Sequence, residues 1–448
     1  MNVSTRRILQ GSAWILLYLL LTLAPLLVLF VDQRPAGREF WRDFSVALGF
    51  CGLAMMALQF ALTARFKTLK APYGSDIVYY FHKRISIATF LLILAHPILL
   101  FVFSPDLLRL LNIFDPQTPW RARFAVTSLL ALIGLVVFSV WRKKLKIEYT
   151  RWRVTHGLLA TAGVALGLAH IVGVGYYVNT PLKRWLWIGY ATFWVGLLLW
   201  VRIIKPFLLL RRPYVVEQVQ AERGNAWSLI LKPQGHPGIR HFQPGQFAWI
   251  TAWDSPFADS EHPFSFSTAP HPEGKLGFTI KELGDFTARI KEMQPGQTVY
   301  VDGPFGSFSC DQHPHAQNLV FIAGGIGITP MMSMLRTLAE RGDRLPLLLI
   351  YANRDWESVT FREEIEGLRT RLNLTVLHVL ERPPENWQGE RGYVTAALLQ
   401  RVLPTDRTPN HTEIFLCGPQ PMMDAVEKAL VQVGVPMGDF HSERFDLV

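Results

Sequence analysis

The sequence predicts a multi-domain chain: a six-helix transmembrane α bundle, then an antiparallel β-barrel, then an α/β domain built on a parallel sheet. Three observations predict it. Six long apolar stretches all lie before residue 210. From Tyr214 short alternating runs broken by Gly and Pro replace them. From Asn318 strand-like and helix-like segments alternate behind a glycine-rich turn.

Half of the 448 residues are hydrophobic, and mean hydropathy is positive. Crossing a hydrocarbon core takes about 20 apolar residues. The stretches Ile8–Val31, Phe44–Ala64, Phe81–Phe103, Phe124–Trp141, Val154–Val174 and Trp185–Ile204 meet that length or approach it. Arg6 and Arg7 before the first resemble a signal-peptide start, but the run is too long for one, so it is expected to be the first span. The net charge of +10 sits mainly between spans rather than on a groove-reading module, which argues against nucleic acid as a partner. Arg65, Lys67, Lys70, Lys83 and Arg84 flank one turn, and Arg142, Lys143, Lys144, Lys146, Arg151 and Arg153 another. Lys205, Arg211 and Arg212 follow the last span. The positive-inside rule then expects an integral protein of the plasma or inner membrane with both termini cytoplasmic and spans one, three and five running outward. Cys51, Cys310 and Cys417 form no CxxC pair and imply no disulfide framework.

Of 13 histidines four fall in the membrane half: His82 and His96 on span three, His156 and His170 on span five. Both pairs are 14 residues apart, close to four helical turns, so each pair shares a face with members about 21 Å apart along the axis. Because the two spans run the same way, His82 can face His156 and His96 can face His170. Two facing imidazoles at each of two depths is the arrangement two bis-histidine haems require. A polar side chain inside a bilayer is expensive and marks function. Interhelical hydrogen bonds or a proton relay are the plainer alternative.

The barrel is expected over residues 213–311, with strands at Tyr214–Gln220, Trp227–Lys232 and Gln246–Thr251. It carries H-P-F-S-F-S-T-A-P (His262, Pro263, Phe264, Ser265, Ser267 to Pro270), G-D-F-T (Gly284 to Thr287) and D-G-P-F-G (including Gly303). An aromatic face stacks on a flat ring, a hydroxyl can hydrogen-bond a ring nitrogen, and a helix start at Gly284 suits a pyrophosphate. Asp285 is expected to cap that helix. The last domain is expected over residues 315–448. There N-L-V-F-I-A-G-G-I-G-I-T-P leads from a strand through Gly324, Gly325 and Gly327 to a helix start at Thr329 and Pro330. Glycines there allow close backbone approach to a pyrophosphate. Strands at Leu347–Ala352, Thr375–Leu380 and Glu413–Cys417 and helices at Phe361–Leu372 and Val394–Val402 complete it. Arg354, after the second strand, would suit a 2′-phosphate and so favour NADPH over NADH.

On these motifs, together with the four histidines, the chain resembles the ferric reductase-like and NADPH oxidase-like transmembrane flavocytochromes, whose soluble half is of the ferredoxin–NADP reductase type. The H-P-F-S form resembles that branch, where His stands for the Arg of the commoner R-x-Y-S. The resemblance implies FAD, two b-type haems and NADPH or NADH as cofactors. It implies Phe264 flanking the isoalloxazine, Ser265 near flavin N5 and His262 near the FAD phosphates. Cys417, in C-G-P with Gly418 and Pro419, would lie near the hydride-transfer locus. Phe445 would cover the flavin until nicotinamide displaces it. The implied activity moves electrons from NAD(P)H through FAD and the haem at His82 and His156 to the haem at His96 and His170, then to an outer acceptor, ferric complexes or dioxygen. A small-molecule donor and acceptor and the bilayer are the expected partners, with no protein partner implied. The alternatives are a haem-free transporter joined to a reductase and a membrane scaffold that merely holds a flavin.

Overall fold

The computed structural model describes residues 3–33, 36–66, 75–258, 260–406 and 408–445. Lys67 and Lys70 lie outside them. The chain forms two compact units that meet in sequence at Pro206 and Phe207.

Among the described residues the first unit contains six helices long and apolar enough to cross a membrane. They are α1 (Val3–Val31), α2 (Phe40–Thr63), α3 (Ser75–Phe103), α4 (Trp120–Val140), α5 (Tyr149–Val174) and α6 (Pro181–Leu199). A five-residue π-helical segment joins α6 to α7 (Lys205–Leu210), so the sixth span runs on as one helical stretch to Leu210. Large apolar side chains such as Leu16, Leu91, Leu130 and Leu158 point outward, which water would disfavour and lipid accepts. The second helix is the most enclosed, burying every residue from Phe50 to Gln59. Helices α4 and α5 pack tightly: a Cβ on Gly163 would come within 2.5 Å of Leu132, and Ser128 Oγ donates to Gly163 O at 2.7 Å. Small residues at helix contacts let backbones approach in the absence of a hydrophobic drive between helices.

The second unit opens with β1 (Tyr214–Glu222), β2 (Ala226–Pro233), β3 (Phe247–Ala252), β4 (His262–Ser265), β5 (Leu276–Lys281), the one-turn helix α8 (Asp285–Ala288) and β6 (Thr298–Phe305). The strands form one antiparallel sheet in the order β4-β3-β6-β1-β2-β5. A bridge between Phe266 and Phe278 brings the β4 edge back to β5 and curls the sheet into a barrel. Alternating residues point inward, so Leu229, Leu231, Phe266, Phe278 and Ile280 fill its interior.

The remainder is a wholly parallel sheet in the order β10-β9-β8-β7-β11-β12. Its elements are β7 (Asn318–Gly324), α9 (Ile328–Arg341), β8 (Leu347–Asn353), α10 (Arg362–Leu368), β9 (Leu374–Leu380), β10 (Glu390–Arg391), α11 (Ala396–Val402), β11 (Thr412–Cys417), α12 (Gln420–Gln432) and β12 (Phe440–Glu443). Strand β7 shows why it must be central. Leu319, Phe321 and Ala323 face one core with α9 and α10, while Val320 and Ile322 face the other with α11 and α12. Both faces are covered, as parallel sheets require. Phe361, expected to begin a helix, instead caps α10 with a left-handed backbone (φ 60°).

Within this unit barrel and sheet are joined by polar contacts. Ser333 Oγ donates to Thr268 O at 2.8 Å, Arg336 donates to Ser267 O, and Arg223 pairs with Glu357 and Glu363.

Candidate functional site

In the membrane unit the four histidines are oriented by partners on neighbouring elements. His96 Nδ1 lies 2.9 Å from Ser45 O, and His170 Nδ1 lies 2.9 Å from Arg121 O. A backbone carbonyl only accepts, so both Nδ1 atoms carry the proton. His82 Nδ1 lies 2.9 Å from Gln59 Oε1, and the amide is turned that way because Gln59 Nε2 donates to Tyr18 Oη at 3.3 Å. His156 Nδ1 lies 3.1 Å from Ser139 Oγ. That hydroxyl already donates to Leu135 O at 2.7 Å, so it accepts from the imidazole. All four rings are therefore Nδ1–H tautomers, and each Nε2 keeps its lone pair. This is the second-contact arrangement that prepares imidazole for a metal.

The spacing between rings also fits. His82 and His156 have ring centres 6.4 Å apart. An imidazole nitrogen about 2 Å from a metal puts its ring centre about 3 Å away. Two imidazoles on opposite sides of one iron therefore have centres about 6 Å apart. His96 and His170 carry the same prepared nitrogen on the same two helices, 14 residues further along each. The donor set thus suits a bis-histidine haem at each level.

In the barrel, β4 pairs with β3 so that Ala248 opposes Phe264 and Phe247 opposes Ser265. Pro263, Phe264 and Ser265 line a cleft with Phe247, Glu443, Arg444 and Phe445. Ser265 Oγ is buried there and, among the described residues, has no hydrogen-bond partner. A buried hydroxyl left so costs about 1–3 kcal/mol. The cleft therefore fits a polar aromatic group such as a flavin, whose ring nitrogens would satisfy it. Phe445 is 40% exposed and is held over the cleft by Arg444, which bonds Asp424 at 2.7 Å and Glu427 at 2.8 Å. Phe264 stacks on Phe286 at 5.9 Å, and His262 lies 4.0 Å from the same ring.

Other motif residues serve the fold. Ser267 accepts from Thr279 Oγ1 at 3.1 Å inside the barrel. A Cβ on Gly303 would come within 2.6 Å of Ala248, so this glycine lets β6 lie on β3. Thr287 Oγ1 accepts from the N–H groups of Leu283 and Gly284 at 2.8 and 2.9 Å. Gly284 is the N-cap of α8 and Asp285 its first residue, so Asp285 is not the cap that the sequence suggested. Four residues cannot supply the axial dipole of a longer helix.

The glycine turn after β7 divides its labour. A Cβ on Gly324 would meet Met422 Sδ at 2.4 Å and Pro419 Cδ at 2.9 Å; one on Gly327 would meet Cys417 O at 2.3 Å. These two glycines make room for the Cys417–Gly418–Pro419 loop. Gly325 has nothing within 4 Å and a positive φ of 52°, so it alone presents open backbone. Thr329 Oγ1 donates to Ile326 O at 3.0 Å within the turn, and Pro330 continues α9. Arg354 is exposed at the end of β8. Cys417 is fully buried at the end of β11 and is not among the cleft-lining residues; burial, and secondarily Glu443, push its thiol well above the ordinary range.

Sequence reasoning missed Ser45, Gln59, Arg121 and Ser139. All four contacts come from the helix that precedes the histidine's own, 17–51 residues back in the chain, and two use backbone carbonyls that no side chain signals. Gln59 alone left a trace: it is an amide in an otherwise apolar run.

Residues 48–167 match the family model of a ferric reductase like transmembrane component, and residues 321–428 match that of an oxidoreductase NAD-binding domain. A glycine betaine monooxygenase reductase subunit of Chromohalobacter salexigens is 31% identical over 221 residues, 47% of this chain and 57% of its own length. NADH-cytochrome b5 reductase 1 of Cryptococcus neoformans is 34% identical over 182 residues, 38% of this chain and 61% of its own. The chain thus spans about six tenths of the length of these curated relatives. Among solved structures, a ferredoxin reductase in carbazole 1,9a-dioxygenase matches with 25% identity and a TM-score of 0.44, covering 52% of this chain and 69% of that one. The cytochrome b5 reductase domain of Ulva prolifera nitrate reductase matches with 22% identity and a TM-score of 0.45, covering 52% and 98%.

Proposed function

We propose, from the matches of residues 48–167 to a ferric reductase like transmembrane component and of residues 321–428 to an oxidoreductase NAD-binding domain, that the chain is a transmembrane oxidoreductase passing electrons from NAD(P)H to an acceptor on the far side of the membrane, a ferric complex or dioxygen. The observation that carries this reading is the set of four imidazoles, each with Nδ1 engaged and Nε2 prepared to ligate. When bound, FAD supplies hydride acceptance and two b-type haems supply one-electron relay through the insulating layer.

The chain's own residues divide the work. His82 and His156 would hold one haem and His96 and His170 the other, with Gln59, Ser139, Ser45 and Arg121 fixing each ring. The basic loops favour cytoplasmic termini, which puts the His82 level near the cytoplasmic side. Ser265 would hydrogen-bond the flavin ring edge, with Phe264 and Phe445 enclosing it and excluding water. Gly325 would offer its N–H side to the dinucleotide phosphates. Cys417, a protonated thiol, would pack and shape the nicotinamide side. The likeness to a protein named NADH-cytochrome b5 reductase supports a nicotinamide donor.

The experiment is purification in detergent followed by anaerobic NADPH addition, with and without ferric citrate or dioxygen, while the haem bands are recorded. Reduction of the haems by NADPH and reoxidation by one acceptor is the expected result; a preparation without haem absorbance after adequate cofactor supply would sink the reading. In the same preparation Phe264→Ala is expected to lower flavin affinity about tenfold, the scale of an aromatic contact plus its buried area. Unchanged flavin occupancy after dilution and gel filtration would remove Phe264 from the flavin site.

A further inference from the structure

A second cluster of metal-ligating side chains lies in the soluble unit, outside the cleft. His313 follows β6 in the segment that leads from the barrel to β7, Glu413 is on β11, and His441 is on β12. Glu413 Oε1 lies 3.1 Å from His313 Nδ1, and Glu413 Oε2 lies 2.7 Å from His441 Nε2. The two imidazole centres are 4.1 Å apart. One ligand atom from each of the three residues falls within 4.8 Å of the others. Glu413 is 1% exposed and His313 9%. The ring of Phe415 borders both histidines, at 5.8 Å and 5.3 Å, and keeps that side dry.

We propose that His313, Glu413 and His441 form a binding site for one zinc ion, with water as the fourth ligand. Two imidazoles and one carboxylate converging on a small volume are a donor set that suits zinc, whereas calcium and magnesium take oxygen donors. The contacts point the same way. Each carboxylate oxygen of the buried Glu413 is already turned on an imidazole nitrogen, so a dication that displaces those two hydrogen-bonded protons would ligate all three groups at once. The ion would tie the barrel-to-sheet segment to the C-terminal edge strand, whose continuation Glu443, Arg444 and Phe445 lines the flavin cleft. Zinc at this place would brace the strand that sets Phe445.

The test uses the full chain in detergent, without an affinity tag, and zinc itself as the probe. Metal analysis after chelation, zinc addition and gel filtration is expected to give roughly one zinc per chain. The zinc-loaded chain is expected to unfold several degrees higher than the chelated one. His441→Gln and His313→Gln are each expected to lose the zinc while haem and flavin contents stay at the wild-type level, which shows that the variants are folded. A wild-type chain that takes up no zinc overturns the proposal and leaves a hydrogen-bonded triad in its place. Equal zinc in wild type and in both variants overturns it too, because the metal is then held elsewhere.

Discussion

Replacing His96 by leucine is expected, on the proposed electron path, to cost one of two haems and to stop delivery of electrons to the far-side acceptor while NAD(P)H still reduces the flavin. Leucine has nearly the same bulk and no nitrogen, so it removes the ligand without opening a large cavity. The loss is local because the Ser45 carbonyl that held the ring is the only other described partner of His96 Nδ1 to be disturbed. Loss of a second-contact group typically lowers metal affinity by about 10–100-fold, so loss of the ligand itself is expected to exceed that. The measurements are haem per flavin by pyridine haemochrome, the rate of anaerobic flavin bleaching, and acceptor turnover. Full acceptor turnover in His96→Leu would refute the second haem. A matching His82→Leu variant is expected to lose the other haem, which separates the two levels.

A methyl group added at Gly327 should disable nicotinamide use without touching the membrane unit. The new Cβ would stand 2.3 Å from Cys417 O, 2.6 Å from its carbonyl carbon and 2.8 Å from Gly418 N. These are backbone atoms at the end of a central strand, so neither side can yield cheaply. Overpacking of this kind costs about 1–3 kcal/mol or more. Gly327→Ala is therefore expected to slow flavin reduction by NAD(P)H at least about tenfold, a barrier of about 1.4 kcal/mol. Haem content and chemical reduction of the haems by dithionite should match the wild type. Gly434→Ala, just past α12, is the control: it meets nothing within 4 Å and carries only the strain of a positive φ, about 1 kcal/mol. Equal, mild effects in both variants would mean that the close approach of the two loops is unimportant.

Both predictions rest on residues that the sequence picked out, but for reasons only partly readable there. The histidines were legible because their spacing is a property of one helix at a time. Their tautomers were not, since the groups that fix them sit on the neighbouring helices α2 and α4 and meet the rings only when the helices pack. Gly324 and Gly327 read as phosphate-cradling glycines; the structure shows that they also make room for the Cys417–Pro419 loop, with Gly325 the open one. Ser267 and Gly303 shared motifs with Ser265, yet they hold the barrel together.

By itself the sequence determined the order of the layers: six membrane helices, a curled antiparallel sheet, and a parallel sheet with helices on both faces. Hydropathy and side-chain period act within a dozen or so neighbouring residues, and local order follows from them. Only the tertiary structure decided which polar atoms meet: the acceptor on each histidine Nδ1, the unsatisfied hydroxyl of Ser265 beside Phe445, and the convergence of His313, Glu413 and His441. Those meetings depend on how distant segments dock, and no periodicity within a segment encodes where its partner will lie.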